Sequence, residues 1–278
     1  MKVAVVVGNV ADGTLGGCID YCRALDLSRV VLSARDVPGY AETGVLDAKA
    51  LKAQRVAVER AGMTTSTIQF WPPFQLGGDR DSSASMEVLT RGLDAVAEAG
   101  IKVLAMFANI NKPVEPSEED AEWAKLVDFY GKLTAEAEQR GVKVATHFSG
   151  HQGRGLLAGS NAYRRLFKDV PSPSNGLTFC VGNAWVSDGE RTYNLIQEFA
   201  SRIFFVHMRS TKISWGESPF WWDIPDGPDI RKIVQALEAV GYEGDLASEH
   251  MPDIPGENRH DISFAWAIGY MKAILRYL

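Results

Sequence analysis

Long apolar runs are missing from this chain: none approaches the roughly 20 residues that a membrane-spanning helix requires, so no membrane association is expected. Cysteine is scarce. Cys18, Cys22 and Cys180 make an odd number spread over 278 residues, which excludes a disulfide scaffold and points to reduced thiols in a cytoplasmic setting. Excess positive charge is absent as well. With 29 Lys and Arg against 35 Asp and Glu, the net charge is −6, which argues against a nucleic-acid groove and for a small-molecule partner met at a local site. The opening MKVAVVVGNVADG has one lysine and too short an apolar stretch for a signal peptide, and suits a first strand. The turn after it, GNVADGTLGG, has glycines but no GxGxxG, so the usual mark of a dinucleotide-binding open sheet is lacking.

What is present is an alternation. Runs rich in Val, Ile, Phe and Ala are expected as strands at 3–7, 29–33, 66–70, 102–108, 143–148, 177–181, 203–208 and 245–249. Continuous apolar runs such as KVLAMFA and RIFFVHM suit a parallel sheet covered on its outer face by helices. Helical patterns lie between them, with Asp47, Ser83, Ser117 and Asp229 as expected caps or near-caps. Gly62, Gly100, Gly141 and Gly241 stand where a left-handed residue would close a helix. Eight units of about 35 residues each make a (β/α)8 TIM barrel, an α/β fold whose single domain spans 1–278. The competing open doubly wound sheet ordinarily has fewer strands.

In such a barrel every loop after a strand lies on one face, where ligands bind. Those loops carry the unusual composition: WPPFQLGGDRD, ANINKPVEP and RSTKISWGESPFWWDIPDGPD. Trp215, Trp221 and Trp222 in the seventh loop suit a lid, a pocket wall, a subunit contact in a homo-oligomer or plain packing.

Three of only five histidines fall at or beside strand ends: His147, His207 and His250. Cys180 ends strand six and Glu249 ends strand eight. Strands five to eight thus each bring one N, S or O donor to one rim: His147, Cys180, His207 and Glu249, separated by 33, 27 and 42 residues. Neighbouring strands lie about 4.8 Å apart, so donors at matching heights can converge on one divalent metal ion. Each alone has a plain structural use; their shared placement favours a metal site. The mixed donor set admits zinc, iron, manganese, cobalt or nickel.

With these positions in hand, the chain resembles the mannonate dehydratases within the sugar-isomerase-like TIM barrels. FVHMRS resembles that family's strand-seven His-x-Arg segment, GLTFCVGN its strand-six Phe-Cys-x-Gly segment, SEHMP its strand-eight Pro-Asp-His segment, and LGGDRD its Gly-x-x-Arg-Asp segment. The resemblance implies one divalent ion, manganese by family habit, held by His147, Cys180, His207 and Glu249, with His250 as an acid/base. Two departures stand out: Glu249 replaces an aspartate, and Phe264 in SFAWAIG falls where the family has a tyrosine.

The expected activity is a lyase that dehydrates a sugar acid to a 2-keto-3-deoxy product. His250 and Arg209 are the catalytic candidates, Arg209 and Arg154 suiting a two-pronged grip on a carboxylate. Arg154, Arg80, Lys212 and Trp71 form the candidate substrate-binding set. A metal-dependent sugar or polyol isomerase or epimerase is the alternative, because it expels no hydroxyl and depends less on the missing tyrosine. A non-catalytic ligand-binding barrel is the third reading.

Overall fold

In the computed structural model, which describes residues 1–72, 82–107, 114–149, 155–213, 220–222, 224–257 and 259–278, the expected strands form a closed barrel in sequence order. They are β1 (Lys2–Val6), β2 (Val30–Ser33), β3 (Thr67–Phe70), β4 (Val103–Met106), β5 (Lys143–His147), β6 (Asn175–Cys180), β7 (Ile203–Met208) and β8 (Asp245–Ser248). All pairings are parallel, and β8 closes on β1 through Val3 beside Leu246. Among the described residues, ten α-helices accompany them: α1 (Leu15–Ala24), α2 (Tyr40–Thr43), α3 (Ala48–Arg60), α4 (Ser82–Glu98), α5 (Glu119–Gln139), α6 (Gly159–Asp169), α7 (Val181–Asp188), α8 (Thr192–Glu198), α9 (Ile230–Ala239) and α10 (Asp261–Arg276). No described helix is long and apolar enough to cross a membrane.

Local chemistry explains the boundaries. Asp47 caps α3 by accepting from the Ala50 amide, and Asp229 caps α9 by accepting from the Arg231 and Lys232 amides. Each satisfies donors that the first helical turn leaves open, an effect of about 1 kcal/mol. Ser117 precedes the cap of α5, which is Glu118, and Ser83 lies inside α4. The four glycines expected to close helices all have φ between +64° and +77°.

Two apolar layers result. Outside the sheet, strand residues such as Leu104, Val144 and Val206 pack with helix residues such as Leu93, Leu133 and Leu237 into one continuous core. Burying each such side chain contributes about 1.5–3 kcal/mol. Inside the barrel the apolar residues are small but for one ring: Ala4, Val6, Val31, Ala105, Ala145 and Ala247, with Phe205 among them. Small residues keep the barrel filled while larger side chains rise from the same strand faces to its mouth.

Candidate metal centre at the barrel mouth

Side chains alternate along a strand, so residues two apart share a face. His147 therefore continues the inward face of Ala145, His207 that of Phe205, and Glu249 that of Ala247. Register sets their heights. His147 pairs with Thr178, Cys180 stands two residues above Thr178, and Cys180 pairs with His207. His207 pairs with Ala247, and Glu249 stands two above Ala247. The donors thus rise two residues at every second strand, following the stagger that a tilted barrel requires.

One irregularity makes this work. Between Leu177 and Thr178 the β6–β7 register shifts, so that Leu177 pairs with Ile203 but Thr178 with Phe205. The extra residue on β7 puts His207, not Val206, beside Cys180. Gly176 lies next to this shift, and a Cβ there would meet the Phe204 ring at 2.3 Å and the Arg202 carbonyl at 2.4 Å. Only glycine fits that approach.

Donor atoms from His147, Cys180 and Glu249 all lie within 4.8 Å of one another, as candidate ligands of one ion must. His207 adjoins them, with Nδ1 2.9 Å from Glu249 Oε1 and 3.2 Å from His147 Nε2. The Cys180 thiol donates to Glu249 Oε2 at 3.3 Å. Burial opposes the charge of Glu249, but the neighbouring His207 and His147 outweigh it and hold the carboxyl well below the usual range. Burial, then the Glu249 charge, pushes the Cys180 thiol well up, with Arg209 opposing. Two imidazoles, a buried thiol and a carboxylate held ionised form a donor set that fits a divalent ion.

His250 sits beside this cluster without joining the strand. β8 ends at Ser248, and His250 has φ +47°, so the pleat is broken where the two neighbouring residues would otherwise face opposite ways. Its Nε2 stands 3.8 Å from Glu249 Oε1, and its side chain is 56% exposed. Arg209 is placed differently: at 1% exposure it is fully buried. Its Nη1 donates to Asn183 Oδ1 at 3.3 Å, and its Cδ and Cγ lie so near Gly182 that a Cβ there would come within 3.0 Å.

Trp71 belongs to a feature the sequence reading missed. The Arg35 guanidinium lies 4.2 Å from the Trp71 ring centroid. Trp71 stacks on Phe107 at 4.6 Å, and Phe107 stacks on His147 at 4.5 Å. Ser33, Gln69 and Ala105 are register partners on the inward face, and Arg35, Trp71 and Phe107 stand two residues beyond them. A planar belt therefore runs round the rim from β2 to the first histidine of the donor cluster. The alternation of β2, β3 and β4 carried the signal, but nothing local said that these planes would stack.

Lys212 places its Nζ 5.5 Å from the Phe220 ring centroid. Trp221 and Trp222 meet Trp266 of α10 edge to face at 5.0 and 5.9 Å, and Trp222 also meets Tyr270. Of the readings open for this loop, packing on α10 is the one these two rings display. Phe264 is buried and meets the His260 ring at 6.3 Å. Arg80, Arg154 and Trp215 lie outside the described residues.

A closed parallel barrel with a cluster of side-chain donors converging at the C-terminal ends of its strands is the architecture of a TIM-barrel enzyme, whose active site lies at that mouth. The profile of "D-mannonate dehydratase (UxuA)" matches residues 104–275, and the chain belongs to that family. It is 33% identical over 141 residues to a mannonate dehydratase of Saccharophagus degradans, covering 49% of this chain and 36% of that protein. A mannonate dehydratase of Streptococcus agalactiae is 29% identical over 188 residues, covering 64% and 49%. The chain thus spans about half or less of the length of these curated relatives. The crystal structure of mannonate dehydratase from Streptococcus suis serotype 2 superposes with a TM-score of 0.77 at 22% identity, covering 100% of this chain and 95% of that one. D-psicose 3-epimerase from Clostridium cellulolyticum H10 gives the same TM-score at 14% identity, covering 99% of each. At these identities the two structures speak for the shared barrel alone.

Proposed function

We propose that this protein is a divalent-metal-dependent dehydratase of a sugar acid such as D-mannonate, releasing water to give a 2-keto-3-deoxy product, in a cytoplasmic setting suited to its free thiols. The observation that carries the reading is the convergence of His147, Cys180 and Glu249 within 4.8 Å, with His207 alongside. Those four residues would hold the ion, Cys180 as its thiolate. Manganese is the ion favoured by family habit; the thiolate makes zinc and other softer ions competitors. When bound, a divalent ion there supplies positive charge that stabilises the negative charge developing beside the substrate carboxylate.

The chain's own groups do the rest. The C2 proton of an aldonate is too weakly acidic to leave unaided, and the C3 hydroxyl is a poor leaving group until protonated. An imidazole can take and return a proton near neutral pH, and His250 reaches over the mouth from a broken strand end, within 3.8 Å of a candidate ligand. It is the proposed proton-transfer group, taking the C2 proton or delivering one to the departing C3 hydroxyl. Arg209 holds positive charge against the Cys180 side of the cluster, and its deep burial suits an electrostatic role. Trp71, Lys212, Arg80 and Arg154 are the proposed substrate contacts, with Trp71 held in place by the belt.

One observation favours a second reading. Phe264 offers no hydroxyl where the family has a catalytic tyrosine, and it is buried. An isomerase or epimerase at the same metal site would need no group to expel a hydroxyl. A panel of aldonates and ketoses with the manganese-loaded protein separates the two. Accumulation of a 2-keto-3-deoxy acid is the expected result; interconversion of ketoses without it would replace the dehydratase reading.

A further inference from the structure

Gln69 is a buried polar side chain of β3, 5% exposed, facing the barrel interior beside Ala105. Its amide nitrogen lies 2.7 Å from Nε2 of His207, a ring only 1% exposed. The other ring nitrogen, Nδ1, faces Glu249 Oε1 at 2.9 Å and His147 Nε2 at 3.2 Å. The two ends of this imidazole are chemically linked. A neutral ring carries one proton, so a lone pair at Nδ1 requires the N–H to sit at Nε2. A buried N–H requires an acceptor, and leaving it without one costs about 1–3 kcal/mol. The group standing at Nε2 is the Gln69 amide, whose oxygen and nitrogen exchange places by a half-turn.

We infer that Gln69 is a positioning residue of the metal centre: its amide oxygen accepts from His207 Nε2–H and so keeps the Nδ1 lone pair directed at His147, Cys180 and Glu249. The inference rests on the metal reading above and adds a residue from the opposite side of the barrel to it. The surroundings explain the residue type. The register neighbours of Gln69 on the inward face are Ser33 and Ala105, and the interior below is mostly alanine and valine, where an unpaired amide would be costly to bury. A carboxylate would accept equally well but would add a second buried negative charge, across the His207 ring from Glu249. The rest of the ring is held by packing, with Phe205 edge to face at 4.9 Å and Phe107 tilted at 5.9 Å. Tautomer is the one property packing does not set.

The test uses the intact protein with zinc as a diamagnetic probe, its affinity measured by competition with a chromogenic chelator. The His207 ring tautomer is read from long-range proton–nitrogen correlations, assigned by their loss in His207→Asn. Wild type is expected to bind zinc and show Nε2–H. Gln69→Leu removes the acceptor, and zinc affinity should fall about 10–100-fold, with the Nε2–H signature lost. Gln69→Glu accepts but, ionised, cannot donate, and should keep both the affinity and the tautomer. Unchanged affinity in Gln69→Leu, or a loss in Gln69→Glu as large as the leucine variant's, overturns the role while leaving the metal site standing. Should the leucine variant not fold, the glutamate variant decides by itself when followed to a pH at which its carboxyl is ionised, because a partner that donates to His207 is broken by it. A wild-type protein that takes no zinc or manganese fails at the earlier step and removes the metal reading itself.

Discussion

The two halves of the barrel mouth are built from the same strand faces and do opposite things. From β5 to β8, the residues that continue the inward faces are His147, Cys180, His207 and Glu249, which bring donor atoms together. From β2 to β4, the equivalent positions are Arg35, Trp71 and Phe107: the Arg35 guanidinium lies over the Trp71 ring, Trp71 stacks on Phe107, and Phe107 on His147. One half offers lone pairs; the other offers rigid surface. A ligating group must be held to within a fraction of an ångström to be useful, and packed planes with fixed rotamers supply that stiffness. A barrel mouth thus needs both an electronically rich arc and a mechanically stiff one, and this chain assigns them to different strands.

The largest expected effect comes from breaking the donor arc. His207→Ala should remove most of the bound metal and with it nearly all activity, as metal analysis of the purified variant and a turnover assay would record. Stripping the wild type with a chelator should lower its melting temperature by roughly 5 °C, since an ion present at 100 times its dissociation constant adds about 2.7 kcal/mol to stability. A fully active protein without metal would end the metal-enzyme reading.

Next in size is the separation of metal binding from proton transfer. His250→Asn keeps a polar group of similar size but cannot carry a proton. A fall in kcat of about 100-fold or more is expected, with metal content unchanged. If the metal leaves together with the activity, His250 belongs to the donor arc as a ligand or as a partner of Glu249.

Cys180→Ser sharpens the donor arc without abolishing it. Thiolate is the soft ligand among the four, so affinity for zinc should drop more than affinity for manganese in parallel titrations. Equal losses for both ions would mean that Cys180 does not ligate.

The smallest expected effect tests the stiff arc. Trp71→Ala removes the plane between Arg35 and Phe107, and should cost about 1–2 kcal/mol in denaturant unfolding. The Michaelis constant should rise severalfold while the metal remains. Loss of metal in this variant would show that the belt holds His147 in place and that the two arcs are mechanically one.

Legibility differed between the arcs for a physical reason. Histidine, cysteine and glutamate at strand ends are rare enough in apolar runs to be noticed one by one, and their spacing at one per βα unit suggested a common rim. Trp71 stood out as a candidate substrate contact, but Arg35 and Phe107 are ordinary residues at ordinary places, and stacking is a relation between planes that a linear text does not hold. Gln69 carried a faint signal as the lone amide in TIQF, but its partner lies 138 residues away. The tryptophans of the seventh loop were conspicuous, yet which partner they would meet depended on α10, another distant element.

The sequence by itself determined the alternation of strands and helices, and with it the barrel, because hydrophobic period, capping residues and closing glycines are local properties. It also determined which side chains could ligate, since donor chemistry belongs to the residue. Only the tertiary structure decided that these donors meet. The register shift beside Gly176 places His207, and not Val206, next to Cys180, and a slip of one residue would have turned that donor to the other face of the sheet. Register is settled by packing across strands 27 residues apart in the chain, where shape and not local preference chooses among neighbouring alignments.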